Sequence, residues 1–247
     1  MNDDLLDKFN EVEKFHWWWA GRQELVKDLL KPEKPQKILD IGCGTGETLT
    51  FMKKVFPKSK LQGVDYLPEA VKYTKGRGHL ALRADALHLP FADATFDAVL
   101  LLDVIEHIKD DSGVIKEAKR ILKPGGVIVL TAPALQFIWS AHDVGQGHER
   151  RYTRHMLLKL TAKNKMQVPF ISYFNFLLSP VIILVRLASR LPLFSRLGQY
   201  DSKLNYQLAY KKPINTLLKS IFISEIKMLK LIRYPIGISI AVKMQKP

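Results

Sequence analysis

Asp40-Ile41-Gly42-Cys43-Gly44-Thr45-Gly46 is the segment that decides the fold of this 247-residue chain. It follows the apolar run Lys37–Ile41 and precedes a helical pattern that begins at Glu47. A nucleotide-binding turn of an α/β protein lies in the same place, between a strand and a helix. Glycines let the backbone approach a ligand closely, and one tight turn would account for only one or two of them. We call residues 40–46 the glycine loop and predict that it binds a ligand.

The chain around the glycine loop alternates short apolar runs with helical periodicity from residue 37 to residue 170. Such alternation predicts an α/β fold, with a parallel sheet covered by helices on both faces. The predicted strands are Lys37–Ile41, Leu61–Asp65, Leu80–Asp85, Phe96–Asp103, Gly126–Ala132, Gln167–Tyr173 and Gly237–Val242, and the predicted helices are Glu47–Val55, Glu69–Lys75, Ser112–Leu122 and Arg154–Lys165. Lys123–Gly126 is predicted as the turn before the fifth strand.

The predicted organisation is a single domain over residues 1–247. It comprises an N-terminal helical cap (1–35), the α/β core (36–175), a basic and apolar helical insertion (176–234) and the last strand (235–247). Met166–Val185 has no charged residue and is long enough for a membrane span. Pro169, Asn175 and Pro180 interrupt it, so we predict a strand followed by an amphipathic or buried helix.

The positive charge is concentrated in the C-terminal part of the chain. Residues 151–247 hold 17 basic and two acidic side chains, whereas residues 1–150 hold 21 and 22. Such a field favours an anionic partner: a phosphorylated or carboxylated substrate, an acidic membrane surface, or nucleic acid. A merely solvated basic surface is the alternative.

Two features bear on the cellular compartment. Cys43 is the only cysteine, which excludes a disulfide within the chain and favours a reducing environment. The start of the chain is acidic and unlike a secretory signal. We therefore expect a cytoplasmic protein, with peripheral contact at the inner membrane face as an additional expectation from the basic, apolar insertion.

The glycine loop differs from a dinucleotide fingerprint. That fingerprint reads G-x-G-x-x-G and directs a helix N-terminus at a pyrophosphate. This loop reads G-x-G-x-G, and the carboxylate of Glu47 follows it, where it would repel a pyrophosphate. We therefore predict a ligand without phosphate. The candidate contacts in the loop are Asp40, which can reach an ammonium group through water, and Gly42, Cys43, Gly44 and Gly46.

Further candidate contacts stand at the ends of the next three predicted strands, where doubly wound sheets bind ligands. Asp65 lies about 20 residues beyond the glycines, the position that accepts hydrogen bonds from ribose hydroxyls. Tyr66 would lie on an adenine face, while Asp85 would accept from the adenine amino group and Ala86 would leave room for the ring. The Leu102 backbone and the Asp103 side chain should also line the site. An ordinary strand-end aspartate is the alternative for Asp65.

Together these segments resemble the successive motifs of class I S-adenosylmethionine-dependent methyltransferases. The resemblance rests on Asp40–Gly46, Asp65, Asp85-Ala86, Phe96–Val99 and Asp103–His107, covers residues 36–135, and is nearest to the small-molecule branch that includes ubiquinone and menaquinone biosynthesis enzymes. It implies a Rossmann-like seven-stranded sheet, mostly parallel with an antiparallel last strand. It also implies that the contacts above bind S-adenosylmethionine and release S-adenosylhomocysteine.

An aromatic segment near the N-terminus extends the resemblance. Phe15–Trp19, followed by Arg22, is similar to the helix that closes over the cofactor in many such enzymes. Arg22 would then pair with the methionine carboxylate, and Trp19 with its neighbours would cover the sulfonium. The alternative is a helix that packs its aromatic side chains into the core.

Ala141–Tyr152 follows the fifth strand, where these enzymes place acceptor-binding groups. His142 and His148 are the candidate general bases, because histidine titrates near neutral pH, and Asp143 is the candidate orienting partner. A metal site formed by His142, Asp143 and His148 is conceivable, but their spacing is not diagnostic and we predict none.

Three residues are candidate substrate contacts. Arg151 and Tyr152 would anchor an anionic acceptor, or else fix the loop. His107 would touch the substrate, or else cap or pack a helix.

The predicted function is methyl transfer to a small-molecule or lipid-like, anionic acceptor, at oxygen, nitrogen or carbon. The alternatives are an RNA or protein methyltransferase and a non-catalytic membrane-associated protein that retains the fold. Amino methylation of bases often uses an Asn/Asp-Pro-Pro-aromatic loop after the fourth strand, and this chain has Asp103-Val104-Ile105-Glu106 there. The sequence therefore argues against a nucleic-acid partner.

Overall fold

The computed structural model describes residues 3–188 and 207–247. Its strands are β1 (Lys37–Ile41), β2 (Lys60–Asp65), β3 (Leu80–Arg83), β4 (Phe96–Leu102), β5 (Leu122–Pro133), β6 (Gln167–Phe174) and β7 (Ser239–Gln245). Its helices include α1 (Asp3–Val12), α2 (Trp17–Leu30), α3 (Glu47–Val55), α4 (Pro68–Gly76), α5 (Asp111–Ile121), α6 (Ala141–Gln146), α7 (Arg154–Lys163), α8 (Ser179–Ala188) and α9 (Lys212–Met228).

The seven strands form one sheet in the order β3-β2-β1-β4-β5-β7-β6. The pairs from β3 to β5 are parallel, whereas β7 is antiparallel to both β5 and β6. The strand order reverses between β1 and β4, and ligands bind at such a switch point in open α/β sheets. The Rossmann-like, mostly parallel sheet with an antiparallel last strand is therefore confirmed.

The centre of the sheet is buried on both faces. Consecutive residues Val99, Leu100 and Leu101 of β4 are each 0% exposed, which requires cover on both sides because successive side chains point to opposite faces. α5 supplies part of that cover through Val114 and Ile115. This core holds the carboxyl ends of β1 and β4 in fixed positions beside each other.

Several element boundaries differ from the predictions. The predicted turn Lys123–Gly126 lies inside β5, which begins at Leu122, because the pairing with β4 continues across a register shift between Phe96 and Ala98. Gly125 adopts a φ of +76° within this irregularity. β3 ends at Arg83, so Asp85 follows the strand in a short bridge with His88.

The uncharged stretch predicted as a strand and a helix consists of β6 followed by α8. Within the described residues, no helix is both long enough and apolar enough to cross a membrane. α8 and α9 fall in the predicted insertion, 176–234, of which residues 189–206 lie outside the described part of the chain.

The packing of α9 against α2 fixes the N-terminal cap on the core. The ring of Phe222 stacks on Trp18 at 5.4 Å and meets Trp17 edge-on at 5.5 Å. Gly21 makes this contact close, because a Cβ built there would lie 2.1 Å from the Phe222 ring. The buried Asn215 side chain accepts a hydrogen bond from the Trp17 backbone and donates one to the Phe15 carbonyl. α2 is thereby held where its other face meets the carboxyl ends of the strands.

Candidate functional site

A cavity of about 1060 Å³ lies over the carboxyl ends of β1, β2 and β4. It holds most of the site residues predicted from the sequence: Trp19, Arg22, Asp40, Gly42, Cys43, Gly44, Asp65, Tyr66, Asp85, Ala86, Leu102, Asp103, His107, His142, His148 and Arg151. Gly46, Asp143 and Tyr152 are absent from its wall. The predicted cofactor and acceptor residues therefore face one continuous space.

The glycine loop is held open by its backbone conformation. Gly42 and Gly44 have φ values of +73° and +53°, in the left-handed region that favours glycine. A Cβ at Gly42 would lie 2.6 Å from Val104, whereas one at Gly44 would meet nothing within 4 Å. Gly44 is therefore the loop residue with free space beside it. Gly46 serves instead as the N-cap of α3.

Asp65 ties the glycine loop to the end of β2. Its carboxylate accepts hydrogen bonds from the backbone N–H groups of Gly44 at 2.9 Å and Leu67 at 3.0 Å. Each carboxylate oxygen has a second acceptor direction, which leaves Asp65 able to receive ribose hydroxyls as predicted.

The predicted adenine contacts lie at the rim of the cavity. Tyr66 is 65% exposed, and the Arg83 guanidinium lies 5.7 Å from its ring centroid. Asp85 accepts a hydrogen bond from the Leu87 backbone at 2.9 Å. These residues follow β2 and β3, and the exposure of Tyr66 leaves the predicted adenine end of the cavity open to solvent.

Asp40 is a buried acid at the end of β1. Burial raises its pKa to about 7, while the charge of Arg22 opposes that rise. Near neutral pH this carboxyl is therefore poised to lose a proton when a cation is placed beside it.

Arg22 reaches the site from α2 and pairs with Asp103 at 2.6 Å. Asp103 also accepts from the Thr131 hydroxyl at 3.2 Å and has a φ of +58°. Arg22 Nε has no hydrogen-bond partner among the described residues. Arg22 thus has its Nη1 engaged by Asp103 and a buried Nε without a partner, and its pairing with the methionine carboxylate stays a prediction.

The aromatic segment serves both of the roles weighed from the sequence. Trp17 and Trp18 pack against Phe222, while Trp19 is partly buried and meets the rings of Phe9 and His16 edge-on. All three tryptophans also contribute to the cavity wall. The core-packing interpretation therefore describes Trp17 and Trp18 best, and Trp19 is the tryptophan least committed to the core.

Sequence reasoning missed a charged cluster beside the glycine loop. Arg77 pairs with Glu47 and, at 2.6 Å, with Glu13 of the N-terminal cap. Glu13 is buried, and burial raises its pKa to about 7. Arg77 therefore offsets part of the negative charge that was expected from Glu47. Glu13 adds a second carboxyl group to the same cluster. No local motif marks Glu13 or Arg77, because each acquires its role through contacts distant in sequence.

Cys43 lies in the loop but has little access to solvent. It is buried, and its Sγ lies 3.4 Å from the Thr74 hydroxyl. Burial raises the pKa of the thiol well above its usual range, so the thiolate is not populated near neutral pH. Its contribution to the site is its backbone and its volume.

The cavity wall also carries three histidines, His107, His142 and His148, which we call the histidine cluster. The His148 ring lies 4.9 Å from that of His107 and 6.5 Å from that of His142, measured between centroids. Asp143 accepts a hydrogen bond from His148 Nδ1 at 2.8 Å, which is the orienting contact predicted for it. His148 is thereby the most firmly oriented histidine of the cluster.

His142 is a poor general base in this environment. Burial, followed by the charge of Arg186, lowers its pKa to about 3. A histidine with so low a pKa is neutral near pH 7 but has little affinity for a proton. Burial also lowers the pKa of His107, and the neighbouring His148 adds to the effect.

Asp143 and Tyr152 support the site from behind the cavity wall. Asp143 is 0% exposed, caps α6 through the Ser140 backbone, and pairs with Arg151 at 2.8 Å. Tyr152 is 1% exposed, and its hydroxyl donates to Asp111 at 2.9 Å. The prediction that Tyr152 contacts the substrate is thus not supported by its position, since its hydroxyl fixes the loop to α5. Arg151 lines the cavity, but its guanidinium also donates hydrogen bonds to Asp143 and to the Ala134 carbonyl.

Two further buried polar side chains face the cavity and were not singled out from the sequence. Glu106 is 0% exposed, and neither of its carboxylate oxygens has a hydrogen-bond partner among the described residues. Asn175 is likewise 0% exposed, with neither side-chain amide atom partnered in the described part of the chain. The sequence could have pointed to Glu106 through its position beside His107 after β4. It contains no comparable indication for Asn175, which follows β6.

Comparison with known proteins agrees with this geometry. Residues 39–130 match the family described as "Methyltransferase domain". The chain is 32% identical to the ubiquinone/menaquinone biosynthesis C-methyltransferase UbiE of Desulfotalea psychrophila, over 55% of this chain and 64% of that protein. It is 28% identical to a demethylmenaquinone methyltransferase of Staphylococcus aureus, over 69% of this chain and 73% of that protein. The chain thus spans slightly less than two thirds of the first of these relatives.

A solved structure shows the same fold. The geranyl diphosphate methyltransferase solved in complex with S-adenosylmethionine superposes with a TM-score of 0.61 at 16% identity, covering 92% of this chain and 85% of that one. Such low identity supports the fold alone. Residues 39–130 thus match a methyltransferase domain and the named relatives are methyltransferases, which agrees with the class I S-adenosylmethionine-dependent family and cofactor predicted from the sequence.

Proposed function

We propose that this protein transfers the methyl group of S-adenosylmethionine to a small, amphiphilic acceptor. The observation that carries the proposal is the continuity of the cavity, which joins the glycine loop to the histidine cluster and to an apolar wall. That wall, the acceptor wall, consists of Leu178, Val181, Ile182, Val185 and Leu218. Donor and acceptor would therefore meet within one shared cavity.

The reaction is a displacement at the methyl carbon. A lone pair of the acceptor forms the new bond to carbon while the carbon–sulfur bond breaks, and its electrons remain on sulfur in S-adenosylhomocysteine. An acceptor that carries a dissociable proton loses it in the process. We place the reacting atom beside the histidine cluster, because that part of the cavity is both polar and adjacent to the glycine-loop side.

The acceptor wall supports a substrate with an apolar body. Its aliphatic side chains would bury such a body and gain about 25 cal/mol for each Å² removed from water. Two guanidinium groups lie at the end of this wall: Arg151 pairs with Asp143 at 2.8 Å, and Arg186 lies 3.9 Å from the same carboxylate. Two cations around one carboxylate favour an acceptor with an anionic or strongly polar end. A quinone precursor, as in the named relatives, and a prenyl diphosphate both have this character.

The test is to follow labelled methyl groups. Purified protein is incubated with labelled S-adenosylmethionine and a cell extract that has been divided into lipid, small-molecule, protein and RNA fractions. We expect label in organic-soluble or small-molecule products. Folded protein that fails to bind S-adenosylmethionine in a calorimetric titration would exclude the proposal, and label confined to RNA or protein would establish one of the competing functions instead.

We also propose that the face formed by α8 and α9 contacts an anionic membrane surface, where apolar acceptors accumulate. Leu184 of α8 and Leu217 of α9 are 68% and 61% exposed, and Leu231 just beyond α9 is 88% exposed. Lysines accompany them on and around α9: Lys211, Lys212, Lys219, Lys227 and Lys230. Apolar side chains among lysines are typical of an interfacial surface.

Co-sedimentation with vesicles tests the membrane contact. Binding should be stronger to vesicles with anionic lipid than to zwitterionic ones and should weaken with added salt. Leu231→Asp should reduce it, while Leu80→Asp serves as a matched control, because Leu80 is 71% exposed on β3 at the far edge of the sheet. Equal binding by both variants would refute the assignment of this face.

A further inference from the structure

Glu106, His107 and His148 form a compact group of metal-binding side chains in the cavity. Glu106 and His107 come from the turn that follows β4, and His148 comes from the loop that follows α6. One ligand atom from each lies within 4.8 Å of the other two. All three residues line the cavity, on the side of the histidine cluster.

Glu106 is the member that demands an explanation. A buried carboxyl without a hydrogen bond costs free energy, and such groups in folded proteins ordinarily have a partner. Neither oxygen of Glu106 has one among the described residues, although the side chain is 0% exposed. A cation bound between the carboxylate and its neighbours would satisfy both oxygens.

The two histidines are oriented as metal ligands usually are. His107 Nδ1 donates to the Gly147 carbonyl at 3.1 Å, because a carbonyl can only accept. His148 Nδ1 donates to the Asp143 carboxylate at 2.8 Å. Both rings therefore keep Nε2 as a free lone pair. A histidine that binds a metal typically donates its other ring N–H to a carbonyl or carboxylate in this way.

We propose that Glu106, His107 and His148 bind a divalent first-row transition metal ion at the acceptor end of the cavity. Two imidazole nitrogens and one carboxylate oxygen suit such ions, and three protein ligands leave a coordination position for an exogenous oxygen. This set differs from the one considered in the sequence, His142, Asp143 and His148, and it departs from the prediction that no metal binds. Asp143 is a partner of a ligand here, and His142 is not a ligand.

The metal site also narrows the chemical class of the methyl acceptor. This step rests on the proposed function. A bound divalent ion lowers the pKa of an oxygen that it binds. An acceptor with a phenolic or enolic hydroxyl would then lose its proton to solvent and present an oxygen anion to the methyl group. His148 would be a metal ligand in this arrangement and would not serve as the predicted general base, because the bound ion would lower the pKa of the acceptor hydroxyl and solvent would take its proton.

Calorimetric titration of metal-free protein with Zn²⁺ and, separately, Mn²⁺ tests the site without any methyl acceptor. We expect one equivalent of at least one ion to bind with a Kd of about 1 µM or lower. Glu106→Gln and His148→Ala should each weaken that binding by at least about tenfold. Glu149→Gln is the matched control, because Glu149 is exposed and its backbone N–H donates to the backbone carbonyl of Glu106.

Two further measurements distinguish a failure of the proposed metal site from a failure of the proposed function. Co²⁺ should give visible absorption bands that Glu106→Gln alters and Glu149→Gln preserves, provided that both variants retain the parent's thermal unfolding midpoint. Binding of S-adenosylmethionine, measured on the same samples, reports on the proposed function separately. A folded protein that binds S-adenosylmethionine but neither metal ion, or that binds metal equally well as Glu106→Gln, would overturn the metal site and leave methyl transfer intact.

Discussion

Gly44 offers a direct test of the residues that hold the cofactor. Its φ is +53°, and a Cβ there would meet no protein atom within 4 Å, so an added methyl group would project into the space assigned to the ligand. Gly44→Ala should therefore weaken binding of S-adenosylmethionine by about tenfold or more, equivalent to about 1.4 kcal/mol. Calorimetric titration measures this change.

A second glycine separates the loss of space from backbone strain. Gly78 also has a positive φ, +82°, and free space around its position, but it lies outside the cavity. Both alanine variants should lose stability of about 1–2 kcal/mol from the left-handed conformation. Only Gly44→Ala should lose affinity, and an equal loss in Gly78→Ala would show that strain, rather than occupied space, is responsible.

Asp40 makes cofactor binding depend on pH. Its pKa is about 7 in the free protein, and pairing with the ammonium group of the ligand would lower it, so that binding releases a proton. The affinity should be full above about pH 7 and should fall by up to about tenfold for each pH unit below it. Calorimetry in buffers of different ionisation enthalpy measures the released proton.

The matched variant for this prediction is Asp40→Asn. It should bind S-adenosylmethionine weakly, with little change between about pH 6 and pH 8 where the parent changes most. Proton release that persists unchanged in Asp40→Asn would assign the effect to another acid, and Glu13 is the first candidate because its pKa is also about 7.

The sequence offers firmer grounds for proposing cofactor residues than for proposing acceptor residues, for a physical reason. Asp40, Gly44 and Asp65 can be proposed from local sequence patterns. Asp40 and Asp65 lie at the ends of recognisable strands, and Gly44 lies in the glycine loop that follows the first of them. Glu106 and Asn175 acquire their significance from burial that is created by segments far away in the chain. Residue type and spacing alone carry no measure of that burial.

At the scale of elements, the contact between α2 and α9 should couple stability to cofactor binding. A Cβ at Gly21 would lie 2.1 Å from the Phe222 ring, so Gly21→Ala should destabilise the protein by about 1–3 kcal/mol in denaturant unfolding. Because α2 also carries Trp19 and Arg22, the affinity for S-adenosylmethionine should fall as well.

A double variant tests whether the Phe222 ring is the cause. Phe222→Leu should itself destabilise the protein, but combined with Gly21→Ala it should cost less than the sum of the two single effects. Gly76→Ala is the control, because a Cβ at this exposed glycine of α4 meets nothing within 4 Å. Additive effects would show that the two residues do not compete for the same space.

The limits of helices and strands were predicted well where the hydrophobic periodicity of the sequence is strong. They were predicted less well where strand pairing extends through a segment that has the composition of a turn. β1 and α3 have the predicted limits, because a buried apolar run and an amphipathic helix each leave a clear pattern. Lys123–Gly126 has the composition of a turn, yet pairing with β4 extends β5 through it. The packing of α9 on α2 was not predicted, since contacts between elements leave no periodic signal.

At the scale of the whole molecule, cofactor binding should stabilise the fold. A ligand present at 100 times its Kd adds about 2.7 kcal/mol, which should raise the Tm of a chain of this size by about 5–10 °C. S-adenosylhomocysteine should act similarly in a thermal unfolding experiment. NAD should give no shift, because the glycine loop reads G-x-G-x-G rather than the G-x-G-x-x-G of a dinucleotide site; a shift with NAD alone would contradict the assignment of the cavity.

The sheet order has a consequence for synthesis on the ribosome. Among the strands of the described residues, β6 has β7 as its neighbour, and β7 in turn connects it to β5. The ribosome makes residues 167–174 well before residues 239–245, a delay of roughly 3–13 s at ~5–20 residues per second. During that interval β6 has no place in the nascent sheet, and the segment leading to Asn175 and α8 is exposed to chaperones and proteases. A nascent chain of this protein can thus pair its parallel strands, β1 to β5, before it can add the antiparallel strands β7 and β6.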